Sequence, residues 1–220
     1  MLTDVKADVW ERISIEKVIA VIVVEESWKA VETAKALKDG GVNVIELTLR
    51  NQDALNALEA IRMAVPDSIL GAGTVLTTNQ LMTVSEMGVD FTVAPGLNPR
   101  VVNIAQEIGL PFAPGVMSPS EIEVAAELGC RYLKLFPAEQ SGGLPYIKSV
   151  IAPYAHLGLK FMPLGGLNEK IFMDYLDVPQ IAAVGGSWIT QAHLIKQENW
   201  AQIRMNAIDT RYILDKGNES

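Results

Sequence analysis

The run Val18-Ile19-Ala20-Val21-Ile22-Val23-Val24 is apolar throughout, and six of its seven residues are β-branched. β-Branched residues favour strands, and a strand that is apolar on both faces is one that is covered on both faces. This pattern is typical of a parallel sheet with helices on its two sides. Seven residues are too few for a membrane-spanning helix.

The same strand-and-helix unit recurs along the chain. A short amphipathic helix is predicted within residues 1–17, with these packing residues: Val9, Trp10, Ile13 and Ile15. Beyond residues 18–24, strands are predicted at residues 44–50, 69–74, 90–94, 110–114, 132–136, 160–164 and 181–184, each followed by a helix. Eight such units predict an α/β fold of the (β/α)8 TIM-barrel type. An open doubly wound sheet is the alternative, but Gly71-Ala72-Gly73 lacks the third glycine of a dinucleotide fingerprint.

Length and composition limit what the protein can be. The chain has 220 residues, 49% of them hydrophobic, and no linker-like tract, so one barrel domain over residues 1–220 is predicted. A net charge of −8 without a basic cluster disfavours nucleic acid and anionic membrane as partners. The N-terminus lacks a signal-peptide pattern, and the single cysteine, Cys130, excludes an internal disulfide, so a cytoplasmic protein is expected.

A lysine stands within the predicted sixth strand, in Arg131-Tyr132-Leu133-Lys134-Leu135-Phe136-Pro137-Ala138-Glu139. Strand alternation places Tyr132, Lys134 and Phe136 on one face and the two leucines on the other. Apolar surroundings disfavour a charged ammonium, so the neutral amine becomes accessible and can attack a ketone to form a Schiff base. The alternative is a strand lysine that reaches solvent or pairs with a carboxylate.

Polar residues also face the interior from the second predicted strand. Ile45, Leu47 and Leu49 share its helix-facing side, whereas the other side carries Glu46, Thr48 and Arg50. Buried charges need partners or a function. One interpretation is an ion pair of Glu46 with Arg50 or Lys134 that only closes the barrel. The other is a catalytic site, because Thr74 and Lys134 reach the same rim, where barrel enzymes do their chemistry.

Two glycine pairs follow the last two predicted strands, in Leu164-Gly165-Gly166 and Val184-Gly185-Gly186-Ser187. Paired glycines expose backbone N–H groups, and the loops after strands seven and eight are the recurrent phosphate site of barrels. A phosphate site is therefore predicted there. No metal site is predicted, because neither His156 nor His193 has a ligand-spaced neighbour.

Several of these motifs, taken in order, resemble the class I 2-keto-3-deoxy-6-phosphogluconate (KDPG) aldolases. They are Val44-Ile45-Glu46-Leu47-Thr48-Leu49-Arg50, Gly71-Ala72-Gly73-Thr74-Val75-Leu76, Ala94-Pro95-Gly96-Leu97, Lys134-Leu135-Phe136-Pro137-Ala138-Glu139, Gly165-Gly166 and Gly185-Gly186-Ser187-Trp188. The resemblance implies a trimeric, cofactor-free barrel enzyme that cleaves KDPG to pyruvate and glyceraldehyde 3-phosphate. A second candidate substrate is 4-hydroxy-2-oxoglutarate, which would be cleaved to pyruvate and glyoxylate.

The resemblance also implies roles for individual residues. Lys134 would form the Schiff base and Glu46 would transfer protons. The substrate would be bound by these residues: Arg50 and Thr74 at its carboxylate, Pro95 and Phe136 along the pocket, and Gly165, Gly166, Gly186 and Ser187 at the phosphate.

Two departures from the family pattern concern specificity. Leu164 stands where many members have a threonine, and Ala94 stands where a serine is common. An aldolase for 2-keto-3-deoxy acids with a different distal group is therefore one alternative. A phosphosugar epimerase or isomerase would share the glycine loops but would not need Lys134 within its sixth strand. A non-catalytic phosphate-binding barrel would also retain the glycine loops, but it would leave four polar residues unexplained: Glu46, Arg50, Thr74 and Lys134.

Overall fold

The computed structural model describes residues 9–24, 26–49 and 53–217. The strands are β1 (Val18–Ile22), β2 (Val44–Thr48), β3 (Ile69–Gly73), β4 (Phe91–Val93), β5 (Phe112–Ala113), β6 (Gly115–Val116), β7 (Tyr132–Leu135), β8 (Lys160–Pro163) and β9 (Val184–Gly186). The α-helices are α1 (Val9–Glu16), α2 (Ser27–Asp39), α3 (Ala54–Ala64), α4 (Thr78–Glu86), α5 (Pro99–Glu107), α6 (Pro119–Glu127), α7 (Gly143–Ile151), α8 (Phe172–Leu176), α9 (Ala192–Lys196) and α10 (Trp200–Gly217). A 3₁₀ helix, Ala152–Leu157, follows α7.

The strands close into a parallel barrel. Six of them pair in the order β5-β4-β3-β2-β1-β9, and the other three in the order β6-β7-β8. β5 and β6 flank Pro114, which has no N–H to donate, and its carbonyl accepts from the Lys134 N–H at 2.9 Å. Bridges from Phe161 to Ile181 and from Leu164 to Gly185 join β8 to the β9 segment. The predicted TIM barrel is therefore confirmed, with β5 and β6 sharing one strand position.

Alternation along the strands separates two apolar layers. Leu133 and Leu135 of β7 pack outward against the helices, as do Ile45 and Leu47 of β2. The barrel interior has its own buried cluster, which includes Val44, Ile69, Phe91, Val93, Met162 and Leu164. Val9 and Ile13 of α1 belong to this inner cluster, so α1 covers one end of the barrel.

Helix start signals in the sequence correspond to observed caps. Ser118 accepts from the Glu121 N–H while the Glu121 carboxylate accepts from the Ser118 N–H, which forms the capping box of α6. Asn98 caps α5, whose first residue is Pro99. Among the described residues, no helix has the length and apolar character needed to cross a bilayer.

Three predictions about the elements were wrong. The last strand was predicted at residues 181–184, but β9 is Val184–Gly186, so Gly185 and Gly186 lie within the strand. The fifth predicted strand, residues 110–114, is split at Pro114. Ile15 was predicted to pack, yet it is 76% exposed because it lies on the outer face of α1. Arg50 and residues 1–8 lie outside the described residues.

Candidate active site

A buried ion pair crosses the barrel interior between Lys134 on β7 and Glu46 on β2. The Lys134 Nζ donates to Oε1 of Glu46 at 3.0 Å and lies 3.4 Å from Oε2. The two side chains are only 8% and 3% exposed. Removing two charges from water is unfavourable, and their attraction offsets this only when the geometry is good. The predicted meeting of Lys134 and Glu46 is thus observed, at a place where amine and carboxylate can exchange a proton directly.

One aromatic ring accompanies the ammonium. The Lys134 Nζ lies 5.5 Å from the centre of the Phe136 ring, within the range of a cation–π interaction. The second aromatic residue of the predicted face, Tyr132, instead stacks on Trp10 of α1, with ring centres 5.2 Å apart. Phe136 therefore lies on the active-site side of Lys134, while Tyr132 closes the opposite end of the barrel.

The surroundings of Glu46 come from β2 and β3. Thr48, which shares its face, is buried, and its hydroxyl donates to the Ile22 carbonyl at 2.9 Å. Gly73 ends β3 beside the carboxylate: a β-carbon built on Gly73 would lie 2.6 Å from Oε1 of Glu46. Thr74 follows directly and is half-buried. Thr74 is therefore the direct chain neighbour of the residue that borders the Glu46 carboxylate.

The backbone of Pro95 lies against Gly115, which pairs with Lys134. Gly115 pairs in register with Lys134, and its N–H donates to the Gly96 carbonyl at 3.2 Å. A β-carbon on Gly115 would lie 2.2 Å from the backbone carbonyl of Pro95. Only a glycine at position 115 leaves room for this approach, which brings the loop after β4 against the strand that neighbours Lys134.

The turn after β8 lies against the segment that follows Lys134. Gly165 and Gly166 both have left-handed backbones, with φ of 97° and 86°. The Glu139 N–H donates to the Gly165 carbonyl at 3.0 Å. A β-carbon on Gly165 would lie 3.2 Å from the Phe136 ring, which is the ring next to the ammonium. Lys134, Phe136 and Gly165 therefore form a continuous series of contacts from the amine to the predicted phosphate loop.

The second glycine pair meets the first at the β8–β9 junction. Leu164 bridges to Gly185, and its side chain covers Gly185, where a β-carbon would lie 2.6 Å from Leu164 Cδ2. Gly186 is covered by the Trp188 ring, which stacks on Phe172 of α8. Ser187 lies between these residues and is exposed. Both predicted phosphate-binding segments thus lie at the same rim, with the Ser187 side chain accessible.

Comparison with known proteins identifies the relatives of this chain. Residues 9–206 match the family model for KDPG and KHG aldolase. The chain belongs to this family. It is 41% identical over 187 residues to the 2-dehydro-3-deoxy-phosphogluconate aldolase of Haemophilus influenzae, a match that covers 85% of this chain and 87% of the relative.

Two solved aldolases of the family are similar in structure. One is the Legionella pneumophila KDPG aldolase with pyruvate captured at low pH as a covalent carbinolamine (TM-score 0.87, 36% identity, 93% of this chain and 97% of the other). The other is the Zymomonas mobilis ZM4 KDPG aldolase with 3-phosphoglycerate (TM-score 0.85, 35% identity, 94% of this chain and 95% of the other).

One side-chain contact in this aldolase barrel does not belong to any motif that the sequence analysis could recognise. The Tyr175 hydroxyl on α8 donates to Oε1 of Glu139, directly behind Gly166. Burial raises the pKa of Tyr175, and the neighbouring Glu139 carboxylate raises it further. Glu139 belongs to the run around Lys134, but its tyrosine partner lies 36 residues away on a short helix. Only the folded barrel brings the two together.

The remaining ionisable candidates lie away from the aldolase site. Among the described residues, no group of three or more His, Cys, Asp or Glu side chains is arranged to hold a metal ion. His156 and His193 are both exposed. Cys130 is buried, and burial raises the pKa of its thiol to about 11, which keeps it protonated and unreactive near neutral pH.

Proposed function

We propose that this chain is a class I aldolase that cleaves KDPG to pyruvate and glyceraldehyde 3-phosphate, with Lys134 forming the Schiff base. The observation that carries the proposal is the contact of the Lys134 amine with the Glu46 carboxylate at 3.0 Å inside the barrel. Family membership supports the reaction type, as does the covalent pyruvate adduct of the Legionella relative.

The first half of the reaction forms a covalent iminium. Lys134 gives its extra proton to Glu46, and the neutral amine adds to the C2 carbonyl of the substrate to form a carbinolamine. Glu46 returns this proton to the carbinolamine hydroxyl, which leaves as water and produces the iminium. The contact between the two side chains supports this step, because general acid–base partners need to be within about 3 Å.

The second half breaks the C3–C4 bond. The C4 hydroxyl loses its proton towards Glu46, through a water molecule, and the bonding electrons move into the iminium to give an enamine. Glyceraldehyde 3-phosphate leaves. Glu46 then protonates C3 of the enamine, and hydrolysis of the resulting iminium releases pyruvate and restores Lys134. Every step uses the protein's own amine and carboxylate, so the proposed reaction needs no cofactor.

The proposed substrate contacts are made by residues at the rim of the barrel. We propose that Thr74 and Arg50 bind the substrate carboxylate and that Pro95 and Phe136 line the pocket. The phosphate would bind to backbone N–H groups of Gly165, Gly166 and Gly186 and to the Ser187 hydroxyl. The left-handed turn at residues 165–166 and the exposed Ser187 support this assignment. The unphosphorylated acid 4-hydroxy-2-oxoglutarate is a second candidate substrate, because the family model includes KHG aldolases.

We further propose that the chain works in the cytoplasm as a homotrimer of single barrel domains spanning residues 1–220. The motif resemblance described above supports the trimer, and the single cysteine, which excludes an internal disulfide, supports the compartment. Sedimentation velocity would test the assembly, and a monomer at micromolar concentration would contradict it.

Borohydride trapping tests the chemistry. Incubation with pyruvate and borohydride should attach one reduced pyruvate per chain, at Lys134 in a peptide map. An adduct at Lys148 or Lys160 would contradict the assignment. Lys134→Arg keeps the charge but should abolish cleavage, because a guanidinium stays protonated. Lys160→Arg is the matched control. The Lys160 Nζ donates to the Pro179 carbonyl instead of entering the barrel, so this variant should remain active.

A further inference from the structure

The space beside the Glu46 carboxylate is bounded by a residue without a side chain, Gly73. Gly73 is the last residue of β3, where it pairs in register with Thr48 and is buried. A β-carbon built on Gly73 would lie 2.6 Å from Glu46 Oε1 and 3.2 Å from its Cδ. It would also lie 2.7 Å from Cγ2 of Val93. Carbon atoms do not approach neighbours this closely, so any side chain at position 73 must displace both the Glu46 carboxylate and the Val93 side chain.

Backbone conformation is not the reason for glycine at this position. Gly165 and Gly166 have left-handed φ angles that favour glycine, whereas the φ of Gly73 lies outside that region. At position 73, what an alanine would lack is room for its methyl group. The requirement for glycine is one of space, and much of that space is taken by the carboxylate.

We propose that Gly73 is a positioning residue for the reaction: its missing side chain leaves the place in which the Glu46 carboxylate contacts Lys134. The inference rests on the proposed function of these two residues. Of the two groups that a methyl at position 73 would meet, Val93 is packed in the buried inner cluster. The carboxylate is the end of a side chain with three rotatable bonds. A methyl at position 73 would press on both groups, and the carboxylate, as the end of the longer side chain, would move further.

The consequence differs between the steps of the reaction. Imine formation requires the Lys134 amine and has a slow route without a correctly placed carboxylate. Transfer of a proton to and from C3 of bound pyruvate requires the carboxylate at a fixed distance. A displacement of about 1 Å can lower such a rate by about 10²-fold. Gly73→Ala should therefore slow proton transfer far more than it reduces the final extent of imine trapping.

The experiment compares Gly73→Ala with Gly71→Ala, the same substitution two residues earlier on the same face of β3. A β-carbon on Gly71 would meet the Phe91 ring at 2.2 Å instead of the carboxylate. Exchange of the pyruvate methyl protons with deuterated water reports proton transfer, and borohydride trapping reports the imine. Gly73→Ala should lose about 10²-fold in exchange and keep trapping, whereas Gly71→Ala should keep exchange per folded molecule. Equal effects in the two variants would overturn the proposal.

Two double variants distinguish displacement of the carboxylate from a simple packing defect. Val93→Ala removes the apolar group that a methyl at position 73 would meet, so Gly73→Ala/Val93→Ala should fold but should not regain proton exchange. Full recovery of exchange would assign the defect to the core. Glu46→Asp withdraws the carboxylate by one methylene, so adding Gly73→Ala to it should change exchange by less than about threefold. An additive 10²-fold loss would overturn the proposal. Failure of wild-type trapping at Lys134 would instead refute the proposed function.

Discussion

The Lys134 ammonium contacts the Glu46 carboxylate at 3.0 Å although the two residues are 88 positions apart in the chain. Pairs of this kind serve stability poorly, because removing both charges from water offsets most of their attraction. The pair also lies where barrel enzymes perform their chemistry. Its location and its unfavourable desolvation both fit the catalytic roles proposed for the two residues.

Substitution of Glu46 separates its chemical role from its structural one. Glu46→Gln keeps the shape and one hydrogen-bond acceptor but removes the ionisable proton. We expect turnover to fall about 10²–10⁴-fold, the usual contribution of a general acid–base group. Trapping of pyruvate at Lys134 should slow but remain detectable. Steady-state kinetics and intact-mass analysis after borohydride provide the two measurements.

Glu16→Gln is the matched control for this prediction. Glu16 is also partly buried and ion-paired, with Arg211 at 3.3 Å, but it lies at the end of α1 instead of inside the barrel. Its substitution should leave turnover within about twofold of the wild type while lowering stability by up to about 1 kcal/mol. Near-native turnover in Glu46→Gln would show that the carboxylate is structural.

Much of this site follows from periodicity. Alternation in β2 and β7 predicts that Glu46 and Lys134 face the interior, as observed. It also predicts that their neighbours Leu47, Leu133 and Leu135 face the helices, as observed. A period of two is a strong signal in a buried strand, because a slip of one residue would exchange its two faces. The distance between the two side chains was not accessible in this way, since it depends on closure of the barrel through strands that are far apart in sequence.

Other features were missed because their residues carry weak signals. Glycines are depleted in strands, so the pair at 185–186 was predicted to follow β9 instead of forming it. Ile15 was predicted to pack from its apolar character alone, yet it faces solvent. The space at Gly73 is defined by Glu46 and Val93, which come from two other strands. No local pattern in a sequence encodes such a contact.

Chelation provides a prediction about the reaction class. Because the proposed iminium withdraws electrons without a metal ion, activity should be unchanged after prolonged treatment with EDTA. Cleavage rates before chelation, after it and after addition of zinc or magnesium should agree within error. A loss of activity that zinc restores would show that the Schiff-base assignment is wrong.

The capping box of α6 predicts an acid-sensitive contribution to stability. Burial tends to raise the pKa of Glu121, but hydrogen bonds from the Met117 N–H and from the Ser118 hydroxyl and N–H outweigh it and lower the pKa overall. A lowered pKa means that the carboxylate stabilises the fold above its unfolded-state pKa. This contribution is lost as the pH falls through the folded-state pKa.

Denaturant unfolding measures this contribution. Glu121→Ala should lower the free energy of unfolding by about 1–2 kcal/mol at pH 7, the usual range for a lost helix cap. The difference from the wild type should shrink when both are unfolded below pH 4. Glu127→Ala, at the exposed far end of the same helix, should show no loss at either pH. A difference for Glu121→Ala that is independent of pH would contradict the charge-based explanation.

A buried leucine, Leu164, adjoins the proposed phosphate-binding loop. Leu164 is 4% exposed and covers Gly185, so it presents an apolar side chain at this place. Leu164→Thr should raise the preference for phosphorylated over unphosphorylated keto acid. A gain of about 1.4 kcal/mol in the transition state corresponds to tenfold in the ratio of the two kcat/KM values. Ser187→Ala should lower the same ratio by raising KM for the phosphorylated substrate.

Replacing Leu164 also removes packing contacts, which affects the amount of folded enzyme as well as substrate preference. Truncating a buried leucine destabilises a protein by about 2–5 kcal/mol, so less of the enzyme could be folded. The ratio of kcat/KM for two substrates, measured on one preparation, does not depend on the folded fraction. Leu164→Val is the matched control, since valine has the shape of threonine without its hydroxyl. A tenfold rise in Leu164→Thr with none in Leu164→Val would assign the preference to the hydroxyl. Equal ratios in both variants would show that this position supports the barrel instead of selecting the phosphate.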